Sequence, residues 1–333
     1  MKILFIGGTG IISSACSQLA VARGMSLFVL NRAKSHNFDV PEGATQLIGD
    51  IRNDPEGVRK VLAGHQFDAV VDWVAFTAAH IEQDIDLFAN NTRQFVFISS
   101  ASAYQKPPAH YLVTEDTPLV NPRWQYSRDK IACEARLMQA FRETGFPVTI
   151  IRPSLTYGLS QIPLIMGSWQ KPWTMMDRIL RGQPVIVPGD GTSLWTVTWN
   201  GDFAKGLLGV LGREQLSGHA FHITSDEVLT WNQIYTEAAH ALGVEPIIKH
   251  IASDWLVAKQ PDLEGSLLGD KVHSVVFDNS KIKRFVPDFS CGVSWAEGVR
   301  RSIAWFQANP ARMSIDDGHN AMLDGLIGLY QSV

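Results

Sequence analysis

Met1-Lys2-Ile3-Leu4-Phe5-Ile6-Gly7-Gly8-Thr9-Gly10-Ile11-Ile12-Ser13, the first thirteen residues of the chain, decide the fold. Residues 1–6 are almost wholly apolar, the pattern of a strand buried on both faces of a parallel sheet. Gly7, Gly8 and Gly10 then permit a tight turn and a close approach of backbone to a ligand. Helical periodicity follows over residues 14–23, with Gly24 as its stop. Strand, glycine turn and helix in that order make a phosphate cradle, because free amides and the helix dipole at the first turn favour an anion such as a pyrophosphate. Ser13 stands where the dinucleotide fingerprint has its last glycine, so a small side chain is expected where helix and strand pack closely.

A second strand over residues 26–30 ends in Asn31-Arg32, the distance at which dinucleotide sites place the residue that reads the ribose. An acid there accepts from a free 2′-hydroxyl. Arg32, with Lys34 close behind, can instead pair with a 2′-phosphate, which points to NADP over NAD. A third strand, 44–49, ends at Asp50-Ile51, expected to flank the adenine. The fourth, 67–74, ends at Ala75 and Phe76, and the fifth, 94–98, runs into Ser99-Ser100-Ala101-Ser102-Ala103-Tyr104. Ligands of open parallel sheets bind at the carboxyl ends of strands, so these residues are expected in one cleft with Gly7, Gly10, Ile11 and Ile12.

Tyr126 and Lys130 are four residues apart in a helical stretch, which puts both side chains on one face. A phenol of pKa about 10 is a poor proton shuttle at neutral pH. A neighbouring ammonium stabilises its phenolate and makes it usable.

Glycine turn, strand-end serine and Tyr126-x-x-x-Lys130 together resemble the short-chain dehydrogenase/reductase superfamily, specifically its extended branch of NAD-dependent epimerases and dehydratases. Arg152-Pro153-Ser154 with Tyr157-Gly158 is similar to that branch's motif after the sixth strand. Pro188-Gly189-Asp190-Gly191 and Asn200-Gly201-Asp202-Phe203-Ala204 are similar to later landmarks, and residues 294–306 resemble its final helix. The resemblance implies Ser100 as the catalytic serine, Tyr126 as the acid/base, and Lys130 as both a modifier of the tyrosine pKa and a ribose ligand. Ala75 and Pro153 would lie beside the cofactor.

The fold so implied is α/β, a Rossmann-type doubly wound parallel sheet with a smaller, mixed α+β substrate lobe. Alternating strands and helices place the NAD(P)-binding domain at 1–157, completed by about 196–224, with the substrate lobe at 158–195 and 225–333. Trp169, Trp173 and Trp195 fall on expected loops of that lobe, either filling its core or offering a stacking surface to a ring.

The chemistry implied is hydride transfer at a hydroxyl or ketone of a sugar-like or cyclic small molecule. Dehydratases of the branch resemble one another in an Asp-Glu pair straight after the catalytic serine or threonine. Here Ala101 and Ser102 follow, which disfavours that reaction. Nucleotide-sugar enzymes of the branch hold the diphosphate with an arginine shortly after the Gly-Asp-Gly turn, and Trp195, preceded by Leu194, takes that place here. An indole cannot replace a bidentate cation. The charge would have to come from Arg128 or Arg178, and an uncharged or weakly charged substrate touching Ser102 and Trp195 is expected. A nucleotide-sugar 4-epimerase is the alternative within enzymology. A dinucleotide sensor or RNA-binding relative is the alternative outside it.

Composition bounds the reading. At 333 residues and 45% hydrophobic content the chain can build two lobes, and its net charge of −4 with no basic run gives no footprint for nucleic acid. Cys16, Cys133 and Cys291, odd in number and far apart, fit reduced thiols. No apolar stretch reaches membrane-spanning length, and no leader precedes the first strand, so a cytoplasmic location is expected. The histidines show no metal-ligand spacing. The resemblance also implies a homodimer through the Tyr126 helix and the one before it (about 77–90), with Ile81, Ile85, Phe88, Leu137 and Met138 as the apolar positions that either pair across it or pack against the sheet.

Overall fold

The computed structural model of the chain describes residues 1–34 and 38–332. Seven strands form the central sheet: β1 (Lys2–Ile6), β2 (Ser26–Asn31), β3 (Thr45–Ile48), β4 (Ala69–Asp72), β5 (Phe95–Ile98), β6 (Val148–Pro153) and β7 (Ala220–Ile223). Their order is β7-β6-β5-β4-β1-β2-β3, every pair parallel. β1 is buried throughout its apolar run, with Ile3, Leu4, Phe5 and Ile6 excluded from solvent. The chain winds outward in both directions from β1 and β4, so the crevice outside their carboxyl ends is where a ligand fits.

Helices cover both faces. On one, α1 (Ile11–Ala22) and the helix Asn200–Val210 pack over Phe5, Val29, Val71 and Ile223. On the other, α2 (Pro55–Val61), α3 (Ala78–Phe88) and α4 (Gln125–Thr144) pack over Ile6, Val70, Phe97 and Val148. Local signals set their ends. Asp54 accepts from the Gly57 amide (2.9 Å) at the start of α2, and Gly145, at φ +74°, ends α4 in the left-handed conformation.

A third core, built around Trp173, Trp231, Trp295 and Tyr235, lies under the remaining helices. Trp173 opens the helix Trp173–Leu180 and is buried, so it is not a loop residue. The Lys171-Pro172 pair that reads as loop is the entry to that helix, a position proline suits. Trp195 is likewise in a strand, Leu194–Trp195, paired with Leu229–Thr230. Only Trp169 of the three lies outside helix and strand, 63% exposed. The segment read as the closing helix is Trp295–Gln307, capped by Ser294, but Asp317–Gln331 follows it as a further helix.

The five apolar positions divide between the two expected roles. Ile81, Phe88 and Leu137 are fully buried against the sheet, which leaves Ile85 and Met138, both half-buried, as the apolar residues of that set nearest the outside. An ion pair between Glu82 and Arg136 ties α3 to α4 there. Among the described residues no helix is long and apolar enough to cross a membrane.

Candidate active site

The glycine turn is glycine for steric reasons. Gly7 has φ +106° and Gly8 φ +88°, and a Cβ on Gly7 would stand 3.2 Å from Trp73 Cβ and from Val74 Cγ1. Gly10 is the N-cap of α1, and its amide donates to Ser13 Oγ (2.8 Å). Ser13 therefore folds its side chain back onto the turn, and Ser17 Oγ donates to Gly8 O (2.8 Å) beneath it. From the far side Asn200 Nδ2 donates to Ile11 O (2.7 Å), which brings the Asn200-Gly201-Asp202 motif against the nucleotide turn.

A cleft of about 750 Å³ opens above this turn. Gly7, Gly10, Ile11, Ile12, Asn31, Arg32, Asp50 and Ile51 line its outer half; Ser100, Tyr126, Lys130 and Pro153 line the inner half. The size lies within the range of cofactor sites, and a cradle without room for Cβ atoms suits a pyrophosphate, so the residues fit a dinucleotide. Ala75 departs from expectation. It is fully buried, with its amide donating to Asp72 Oδ1 (2.9 Å) and its carbonyl accepting from Lys130, and its neighbours Val74 and Phe76 line the cleft instead.

At the adenosine end, Asn31 Oδ1 accepts from the Ala33 amide (3.0 Å) and Gln46 Nε2 (2.9 Å). The Arg32 side chain is 60% exposed, its Nη1 3.9 Å from Asp50 Oδ2. Asp50 sits below the usual carboxylate range, chiefly because the Asn53 side chain and nearby amides hydrogen-bond to it.

α4 delivers Tyr126 and Lys130 to the inner end. Lys130 Nζ donates to Ala75 O (2.7 Å), in the loop after β4, and to Ile98 O (2.8 Å), at the end of β5, and lies 5.9 Å from the Tyr126 ring centre. Burial pulls its pKa down to about 8. The expectation that Lys130 depresses the tyrosine is not what this geometry gives. Burial raises the Tyr126 phenol above its ordinary value, opposed by the Ser100 hydroxyl, and the ammonium faces the ring and two carbonyls. Ser100 Oγ also lies 2.9 Å from Ser102 Oγ, which accepts from Ser127 Oγ (2.8 Å), so Ser102 is a buried link in a hydroxyl chain.

A second cavity of about 260 Å³ adjoins the first, and Ser100, Tyr126, Pro153 and Trp169 line both. Ser102 and Trp195 are in the wall of the second, where sequence reasoning placed the substrate. The arginines proposed to bring charge there do not. Arg178 is buried away from it, bonded to Asp324 (2.6 Å) and Pro184 O (3.0 Å), and Arg128 is exposed on α4, holding Pro122 O (2.7 Å). The cations in the wall are Lys106 and Lys271, with Asp270 between them. Neither lysine carries a motif. Lys106 follows the serine loop, and Lys271 ends a π-helical turn, Leu267–Lys271, without a readable period.

Residues 3–224 match the model of the NAD dependent epimerase/dehydratase family. The chain belongs to that family. Its extended short-chain dehydrogenase/reductase architecture, with the parallel sheet and cleft described above, is that of an NAD-dependent enzyme. The chain is 24% identical over 289 residues to the 2′-dehydrokanamycin reductase of Streptomyces kanamyceticus, covering 87% of this chain and 80% of the relative. It is 29% identical over 262 residues to the chloroplast stem-loop binding protein of 41 kDa b of Arabidopsis thaliana, covering 75% of this chain and 65% of that one. Among solved structures, Epimerase Mth375 from Methanothermobacter thermautotrophicus superposes with a TM-score of 0.77 over 94% of each chain at 18% identity, a likeness of fold.

Proposed function

We propose that this family member is an NAD(P)-dependent oxidoreductase acting on a hydroxyl or ketone of a sugar-like or cyclic small molecule, with Tyr126 as acid/base. One observation carries the reading: Ser100 and Tyr126 line both the dinucleotide cleft and the smaller cavity, so a substrate in the second presents its oxygen where a cofactor in the first ends. Similarity to a protein named 2′-dehydrokanamycin reductase supports reduction of a small-molecule substrate as the reaction.

The bound dinucleotide supplies the hydride donor or acceptor. Ser100 Oγ hydrogen-bonds the substrate oxygen, and Tyr126 gives that oxygen its proton in reduction or takes it in oxidation. Burial holds the Tyr126 phenol above its ordinary value, so it carries its proton at neutral pH in the free chain. Lys130, fixed by two backbone carbonyls, places a positive charge over the Tyr126 ring and at the ribose side of the cleft. Exposed Arg32 at the far end supports NADP over NAD. Unpaired Cys16, Cys133 and Cys291 support a cytoplasmic setting.

A second reading follows from the stem-loop binding relative: the nucleotide lobe could serve RNA. A net charge of −4 and a complete Ser100, Tyr126 and Lys130 set weigh against it. The deciding experiment is a panel of cyclic ketones and alcohols with NADPH, NADH and their oxidised forms, followed at the nicotinamide absorbance. Substrate-dependent oxidation or reduction that Tyr126→Phe abolishes is the expected result. Epimer formation without net nicotinamide change would favour the epimerase, and RNA binding with no turnover on the panel would overturn the enzyme reading.

A further inference from the structure

The smaller cavity holds a charge arrangement that the proton chemistry at Ser100 and Tyr126 does not use. Lys106 Nζ lies 3.4 Å and Lys271 Nζ 3.5 Å from the carboxylate of Asp270, and the two lysines are 4% and 8% exposed. Their ammonium groups lie over aromatic rings in the same wall, Lys106 5.7 Å from the Trp195 ring centre and Lys271 5.4 Å from that of Trp124. Two ammonium groups and one carboxylate leave one positive charge unmatched. Leu155 and Phe277 add apolar surface, and Ser100, Ser102 and Tyr126 add hydroxyls, but no other charged residue lines the cavity among the described residues. Trp195 shares that wall, with its indole N–H buried away from solvent and without a hydrogen-bond partner. Arg123 and Glu264 form a separate, exposed ion pair and satisfy each other at 3.0 Å.

A buried cation short of a counter-ion is costly, and a buried donor without an acceptor adds to the cost. An anionic group between the lysines offsets the first of these. The surplus is one charge and the cavity is about 260 Å³, below the usual range for drug-sized ligands. The volume matches one substituted ring bearing a single anionic group and not a whole nucleoside diphosphate sugar.

We propose that Lys106 and Lys271, balanced by Asp270, form a subsite for one anionic oxyacid group on the substrate ring, a carboxylate or a phosphate monoester, and so set the substrate class of this enzyme. This rests on the hydride-transfer reading of the same site. It narrows the expectation of an uncharged or weakly charged substrate, which followed from the missing arginine at Trp195 without sight of the two lysines.

Simple ring compounds test the charge apart from sugar stereochemistry. Binding of cyclohexanecarboxylate, cyclohexyl phosphate and cyclohexanol to the NADP⁺-saturated full chain is measured by calorimetry, for the wild type and for Lys106→Met, Lys271→Met and Asp270→Asn. The wild type should bind at least one of the two anions tenfold or more tightly than the alcohol, and the tighter one names the oxyacid. Each lysine variant should reduce that preference to about twofold or less, and Asp270→Asn should increase it several-fold. Unchanged NADP⁺ affinity, read at the other cavity, shows that the variants fold. Equal binding of alcohol and anions by the wild type, or a preference that survives both lysine substitutions, overturns the proposal. Because these are binding measurements, they are independent of whether Tyr126→Phe abolishes turnover, and a failure of one reading is told apart from a failure of the other.

Discussion

Lys130 holds its ammonium over the ring of Tyr126, 5.9 Å from the ring centre, while its protons go to the carbonyl oxygens of Ala75 and Ile98. Its pKa, about 8 through burial, sets a pH limit on the free enzyme. Lys130 is charged below that value and neutral above it, so kcat/KM for the dinucleotide, which reports groups of the free enzyme, should fall about tenfold per unit above pH 8. Lys130→Met should give a lower, flat profile. The same shift acts on stability. The unfolded lysine keeps its proton to about 10.4, so the native chain binds one proton fewer between about 8 and 10.4, and this group's contribution to stability rises with pH across that window. A kcat/KM limb unchanged in Lys130→Met would assign it to another group.

Tyr126→Phe retains the ring and its packing beside Trp124, and removes only the oxygen. Turnover should drop by a factor on the order of 10² to 10⁴ with dinucleotide affinity kept. Steady-state rates alongside fluorescence titration of the cofactor check both halves.

Arg32 pairs with Asp50 only at 3.9 Å and in solvent, an interaction of small worth, so the guanidinium is available to a 2′-phosphate. Arg32→Ala should weaken NADPH by about 10- to 100-fold, the loss of a charge-assisted hydrogen bond of about 1.5 to 3 kcal/mol, and NADH by little. Titration of both cofactors against both proteins separates the cases. Equal losses would mean that Arg32 reads no phosphate.

Arg152 and Glu134 form a bidentate pair under the active site, Nη2 to Oε2 at 2.6 Å and Nε to Oε1 at 3.0 Å, both residues nearly buried, with Ser99 donating to the same carboxylate. Arg152→Met strands a buried carboxylate and should cost about 3 to 5 kcal/mol in urea unfolding. The double variant Arg152→Met/Glu134→Met should cost less than Arg152→Met alone, since no uncompensated charge remains.

Some features were readable because one-dimensional pattern determines them. Gly7 and Gly8 announce positive φ, the apolar runs announce buried parallel strands, and a spacing of four announces that Tyr126 and Lys130 share a helix face. What Lys130 does with its protons was not readable, because that depends on carbonyls at or just beyond the ends of two strands that meet only in the sheet. Trp173 and Trp195 read as loop residues because short strands and a proline-led helix leave weak periodicity. Lys106, Asp270 and Lys271 converge from distant segments, and no local spacing encodes their meeting.

The bond from Asn200 to the carbonyl of Ile11, and the pairing of β7 with β6, set the order in which the molecule can be made. Translation delivers β6 by residue 153 and its partner β7 only at residues 220–223. At about 5 to 20 residues per second, β6 stays an open edge for several seconds, its apolar strand a template for pairing with other chains. The nucleotide turn, complete by residue 11, waits longer still for its brace at residue 200. A chain halted at residue 157 would therefore be an aggregation-prone fragment with an unfinished sheet, not a small nucleotide-binding protein.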